Sequence, residues 1–438
     1  MLVVRNFKNI FAIPELTKKL AFTLGVLILY RLGDFIPIVG IDVAALAQQI
    51  AQKSSWIGGA LGFMNTMTAG ALDKGALFAL GIGPYITASI AMQFLTLAIP
   101  ELEQLQKEGA YGRRKIEQYT RYLTLGLSIL QGSMYLGSLH AMGVVLNPGI
   151  GFTIMTLLSL AAGSMFVMWL GEQITAFGIG NGSSMLIFAG IVARFPNAVF
   201  SIWHQVFGLG QSPLILILVP AIFVAITACI VFLEKGERKI PVQYARRVVG
   251  NRVYGGQSTY IPFKINPSGV MPVIFAGTVL NVPLALLSYF ATKFTSLKWL
   301  AVSVGYGQPL NLVITFLLII FFAFFYTALI FDPNKLSEDM KKSGGFIPGV
   351  RPGKQTADFF DYILTRVGLV GAIYLGALAV VPTIINVYFG LPLPFAGTSL
   401  LIVVGVALDF SAQVESYLLE HRYEGFLSSG RLKGRATR

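Results

Sequence analysis

The stretch PLILILVPAIFVAITACIVFL, residues 213–233, is followed at once by EKGERKIPVQYARRVVGNR, residues 234–252. The first is 21 residues with no charged group. As a helix rising 1.5 Å per residue it reaches about 30 Å, the thickness of a bilayer's hydrocarbon core. The second is dense in Lys and Arg, the signature of a segment that stays on the cytoplasmic side. The same alternation extends in both directions. Apolar runs of this kind lie at about 20–38, 75–99, 122–141, 152–175, 184–202, 213–233, 269–290, 310–331, 367–389 and 395–414, so the sequence predicts ten transmembrane helices.

The loops orient them. Of the 33 Lys and Arg, 27 fall in the N-terminal segment, the C-terminal tail and the loops after the second, sixth and eighth runs. The intervening set holds only Lys53, Lys74, Lys293 and Lys298, while Arg31 and Arg194 lie within runs. This bias predicts both termini in the cytoplasm and an even number of spans. Five runs precede a short external link and five follow it, so the second half is expected upside down relative to the first, the setting of an inverted repeat. The expected organisation is a cytoplasmic segment 1–19, a half at 20–204, a hinge at 205–212, a half at 213–414 with cytoplasmic loops 234–267 and 332–366, and a tail 415–438. The N-terminus does not read as a cleaved leader: the apolar run after Lys19 is too long and no small-residue cleavage site closes it.

Composition narrows the function. The 438 residues are 55% hydrophobic and 12% charged, against about 25% charged in a soluble domain. The formal charge of +13 is therefore read through its placement in loops rather than as a nucleic-acid footprint. One cysteine, Cys229, excludes an intrachain disulfide, and three histidines make a poor basis for a metal site. The VGYG at 304–307 is a single copy, whereas a potassium filter needs four in a ring. The GIGNG at 178–182 lacks a preceding strand and a phosphate-binding Lys, and is expected to be a tight turn. No enzyme and no cofactor are expected. Ionisable groups are scarce in the runs, so any pore has an apolar constriction, which can stop water and ions by dewetting. The segment IGGALGFMNTMTAGAL at 57–72 is apolar but too short to span. Composition leaves it open between a re-entrant half-helix and an apolar external loop.

Seven stretches resemble the bacterial SecY family: FALGIGPYITAS (78–89), GRRKIEQYTRY (112–122), MWLGEQITAFGIGNGSS (168–184), QSTYIPFKIN (257–266), FFAFFYTALIF (321–331), KKSGGFIPGVRPGKQT (341–356) and GTSLLIVVGVALD (397–409). The resemblance runs from the N-terminus to beyond the tenth run, in order, and includes loop motifs that similarity between apolar helices would not produce.

The resemblance implies an all-α clamshell of two five-helix halves with a re-entrant plug helix. Its function would be the central pore of the Sec translocon, passing unfolded proteins across the inner membrane and releasing apolar segments sideways into lipid. By local alignment the pore ring falls on Ile82, Ile86, Ile187, Ile191, Ile274 and Ile402. The pairs 82/86 and 187/191 are spaced i, i+4, which puts each pair on one helix face. The plug falls on 57–72, with Gly58, Gly59, Leu61, Gly62, Phe63, Met64, Asn65 and Gly70. Gln93, Gln131 and Asn281 are polar candidates at a lateral gate, against the plainer reading as helix-packing glue. Arg246, Arg247, Arg252, Arg351 and Lys354 are implied to dock the ribosome and the SecA motor. SecE-like and SecG-like subunits, signal sequences, precursor chains and lipid complete the implied partners. Arg194 departs from the family's small or apolar residue. It shares a face with Ile187 and Ile191, and is expected either to line an external funnel or to snorkel to headgroups. The main rival is a secondary transporter of five-plus-five inverted repeats, which would need a polar midplane site; an insertase without a through-pore is a second.

Overall fold

Helix limits follow from residues that cannot continue or cannot be left unpaired. The computed structural model describes residues 13–52, 68, 70–208, 212–244, 247–249, 252–254, 258–305, 307–389 and 397–429. Helix α1 (Pro14–Gly33) begins with proline in the first turn, where the missing N–H costs nothing. Helix α2 (Val43–Gln52) is capped by Asp42, whose Oδ1 accepts from the N–H groups of Ala44 and Ala45, each at 3.0 Å. Residues 70–82 are largely turns, and α3 begins only at Gly83 (Gly83–Ala98). The run expected at 75–99 thus divides into an apolar turn segment and a 16-residue helix. Two glycines in the left-handed region, Gly75 at φ 58° and Gly81 at φ 53°, let the backbone fold there instead of continuing helical. At Ile99–Pro100 the chain bends by 100° into α4 (Pro100–Lys107), since the residue before proline is driven to extended backbone.

Helix α5 (Ala110–Met142) ends on Gly143 in the left-handed conformation, and α6 (Ile150–Phe177) runs into the turn at 178–181. Asn181 caps α7 (Gly182–Val192) by accepting from the N–H groups of Ser183 and Ser184. The expected run 184–202 is divided between α7 and α8 (Phe195–Phe207). Helix α9 (Ile215–Lys235) follows. Beyond the strands described next come α10 (Met271–Lys293), α11 (Thr295–Ser303), α12 (Pro309–Ile330), α13 (Pro333–Lys342), α14 (Lys354–Phe389) and α15 (Gly397–Ser429).

The all-α expectation is corrected in the basic loops. Strands β1 (Glu237–Tyr244), β2 (Arg247–Val249), β3 (Arg252–Tyr254), β4 (Ser258–Lys264) and β5 (Gly345–Phe346) form a three-stranded sheet in the order β4-β1-β5 and a β2-β3 hairpin. The reason is a period-two pattern in KIPVQY: Ile240 and Val242 are buried while Lys239, Pro241 and Gln243 are exposed. Ile240 pairs with Ile261 and Val242 with Thr259, while Gln243 pairs with Phe346. The two basic loops are therefore one sheet. It closes over a core of Ile240, Val242, Phe263, Met340, Ile347, Phe360, Ile363 and Leu364, which seats it on α13 and α14.

Among the described residues, six helices are long and apolar enough to cross a membrane, or seven if the bent α3–α4 pair is one span. The described residues fall into two compact units, one within Met1–Gln52, Met64–Arg194 and Val406–Arg438, the other within Phe195–Gly405. In the first, a methyl on Gly182 would collide with the Gly171 carbonyl of α6, so α6 and α7 touch backbone to backbone. Gly182→Ala is expected to lower the thermal unfolding midpoint of the purified protein by several degrees, whereas Gly126→Ala, with nothing within 4 Å, leaves it unchanged.

Candidate functional site

The isoleucines singled out by the sequence are packed, each within its own unit. In the first unit Ile82 is the residue that precedes α3, and its carbonyl accepts the Ile86 N–H at 3.1 Å, so the two are one helical turn apart. Ile82, Ile187 and Ile191 are buried and Ile86 is half-buried. A methyl placed on Gly171 would stand 3.4 Å from both Ile82 Cδ1 and Leu186 Cδ1. Ile82 therefore approaches α7 across a glycine of α6. In the second unit Ile274 and Ile402 are buried. Each lies about one turn from the place where a methyl on Gly405 would collide with Val270 Cγ1. Close packing at both places is set by glycine. Burial of this kind is what a sealed apolar constriction and an ordinary core both require.

The polar candidates stand differently. Gln131 is buried and Gln93 half-buried, and the Oε1 of each is shielded without a hydrogen-bond partner. The Gln131 Oε1 is 4.0 Å from where a methyl on Gly83 would sit, so it faces the first residue of α3. Asn281 belongs to α10, and its side chain is outside the described set. Gly58, Gly59, Leu61, Gly62, Phe63, Met64, Asn65 and Arg246 lie outside the described residues, as do the side chains of Arg247 and Arg252, whose backbones open β2 and β3. Gly70 is in a turn at φ 85°.

On the sheet side, Arg351 and Lys354 are both exposed. Their turn is pinned: Thr356 Oγ1 donates to the Arg351 carbonyl at 2.9 Å and Ser337 Oγ donates to the Gly353 carbonyl at 2.7 Å. Gly349 at φ 86° and Gly353 at φ 107° bracket it, in conformations only glycine adopts freely. The arginine is thus held out on a fixed turn rather than a loose loop. On β1, a hydrogen bond from Lys239 to Glu237, with the Tyr260 ring 4.7 Å away, holds the ammonium's pKa above its ordinary value.

The family model for SecY matches residues 76–411. The protein translocase subunit SecY of Escherichia coli K12 is 46% identical over 427 residues, covering 96% of both chains. The chain belongs to the SecY family. Two solved structures share its fold at 18% identity, each over 95% of both chains. One, with a TM-score of 0.66, is of a SecY whose plug domain stabilises the closed state of the translocation channel; the other, at 0.60, is Sec61 in a canine ribosome–channel complex from the endoplasmic reticulum.

Three features of this SecY-family chain escaped the sequence. Arg194 Nη2 stands 3.6 Å from Asp73 Oδ2, a partner that neither expectation for Arg194 included. Arg121 and Glu172 form a two-pronged ion pair at 2.9 Å and 2.9 Å that joins α5 to α6. The glycine-rich turn at 178–181 is held by the Ile179 N–H donating to Thr23 Oγ1 at 3.1 Å and the Gly180 N–H to Gln413 Oε1 at 2.8 Å. All three join residues distant in sequence, and no local spacing reveals them. The shielded Gln131 carbonyl makes a further expectation: removing an unsatisfied buried acceptor while keeping its volume costs little. Gln131→Leu should unfold no earlier than the parent, while Gln131→Ala, which leaves a cavity, should unfold earlier in the same thermal assay.

Proposed function

We propose how this chain, the pore-forming subunit of a protein translocase, conducts its cargo. It crosses the inner membrane ten times, with both termini in the cytoplasm. Its halves at 20–204 and 213–414 open about the hinge at 205–212. Ile82, Ile86, Ile187, Ile191, Ile274 and Ile402 line an apolar constriction. The 57–72 segment plugs it on the external side. Unfolded chains thread the constriction. Segments of about 20 apolar residues leave sideways past Gln93, Gln131 and Asn281, because lipid solvates them better than the aqueous pore does.

The observation that carries the function is the 46% identity over 96% of a curated protein translocase subunit. The ring assignment rests on the family motifs, and five of its six isoleucines are buried, as a sealed constriction requires. An aliphatic ring has no fixed ligand geometry, so it can part around any side chain and close again by dewetting. The transporter reading wants a polar midplane site, which these residues do not supply.

Docking of the ribosome and of the SecA motor is assigned to the sheet and its turns. Arg246, Arg247 and Arg252 suit phosphates of ribosomal RNA, in contacts that weaken with salt. Arg351 and Lys354 suit the motor. SecE-like and SecG-like subunits complete the channel. The ribosome assignment draws support from the Sec61 relative's occurrence in a ribosome–channel complex.

A Cys229→Ser, Ile402→Cys variant, carrying a stalled secretory precursor with its own cysteine, is expected to form a disulfide between the two that depends on the stall. No such link, while a control cysteine at Arg252 still captures the precursor, would mean docking without threading and would remove Ile402 from the pore. Arg351→Glu is expected to cut motor-driven export at least tenfold with the chain still inserted in the membrane; normal export would remove Arg351 from the motor site.

A further inference from the structure

Arg194 is the one charged residue on the isoleucine-bearing face of the 184–202 run. Its N–H bonds to the Ile191 carbonyl at 3.1 Å, so it leaves α7 in the turn directly after the second ring isoleucine. Its guanidinium reaches Asp73, in the turn segment that leads to Ile82 and α3. That segment is not a loose loop. Ala71, Leu72 and Ala76 are buried, and the Leu72 carbonyl accepts from Tyr135 Oη at 2.8 Å. The Ala76 N–H returns to the Ala71 carbonyl at 3.0 Å. Neighbouring Lys74 sets its ammonium 3.7 Å from the centre of the Phe35 ring, and its charge also acts on Asp73. The ion pair therefore ties two rigid pieces of one unit: the approach to Ile82 and Ile86, and the end of the helix that carries Ile187 and Ile191.

We propose that Arg194 is a positioning residue for the constriction: through Asp73 it holds the Ile82–Ile86 piece at the level of Ile187 and Ile191, so that the idle pore stays shut. The proposal rests on the constriction reading above. The side chains of both partners are about a third exposed, 35% and 34%, so water screens the attraction. A pair of this kind shifts an equilibrium by about fivefold at most. That is enough to set how often an idle pore opens and too little to resist an entering signal segment. A charge snorkelling to headgroups would gain nothing from the identity of residue 73, whereas the tie depends on it.

The test uses membrane vesicles containing the whole translocase, with the chain's level checked by immunoblot. Two rates are read: chloride leak through idle channels, and export of a precursor with a shortened signal core. Arg194→Asp and Asp73→Arg are each expected to raise both by about two- to fivefold. The charge-swapped double variant and Arg194→Lys should return to the parent's values, which a merely structural lesion would not do. Should Arg194→Asp fail to accumulate, Arg194→Gln takes its place. A swap that leaks like the single variants overturns the proposal. So do single variants that leak like the parent while Ile191→Asn leaks more; that result leaves the constriction standing. If Ile191→Asn also leaks like the parent, the constriction reading itself falls and takes the inference with it.

Discussion

In a lipid phase no hydrophobic force draws one apolar helix to another, because the tails solvate Leu and Ile as well as a neighbouring helix does. What remains is close contact, and close contact needs positions with no side chain. This chain places glycine there repeatedly. A methyl on Gly163 would strike the Leu77 carbonyl, on Gly182 the Gly171 carbonyl, on Gly371 the Ile265 carbonyl and on Gly397 the Ala379 carbonyl. Each sets one element directly on another's backbone. The packing beside these seats follows: Ile82 reaches Gly171 within the first unit and Val270 reaches Gly405 within the second, and the outward residues are left to lipid. Helix α9 shows the complement. Ile217, Val224 and Phe232 are 73%, 64% and 74% exposed, as a face against acyl chains should be.

Function divides along the same line. Within the apolar runs the chain offers shape without chemistry, suited to passing any sequence. Outside them it offers charge on a rigid base. The sheet of β4, β1 and β5 draws the two basic loops together over a single apolar core. The exposed Lys239, Arg351 and Lys354 thereby belong to one folded platform. On the function proposed above, a translocating chain meets two surfaces with opposite demands, one indifferent to sequence and one able to recognise.

Much of this was legible. Apolar runs, basic loops and the family motifs located the long helices, since a bilayer permits few solutions. The losses have particular causes. The turns before Gly83 were hidden because Ala71, Leu72, Leu77, Phe78 and Leu80 are as apolar as a helix; Gly75 and Gly81 were the available signal. The sheet was missed because the buried alternation of β1 is only two residues, Ile240 and Val242, among charges that already had an explanation in topology. The glycine-rich turn was recognised as a turn, but its fastening to Thr23 and Gln413 depends on tertiary approach. The Arg194–Asp73 pair joins the end of α7 to the turn segment before α3, and neither residue's neighbours announce the other.

The pinned turn that carries Arg351 has a mechanical consequence. It runs within three residues into α14, a helix of 36 residues, about 54 Å long at 1.5 Å per residue. Val242, Phe263 and Met340 clamp the near end of that rod through Phe360, Ile363 and Leu364. A load applied to the turn is thus delivered as torque on a stiff beam rather than absorbed locally. The beam has one built-in soft point, Pro382, two turns from its far end, where a hydrogen bond is missing and bending is cheapest. A push of a few ångströms at the turn would flex the chain at Pro382 and leave the sheet itself undeformed.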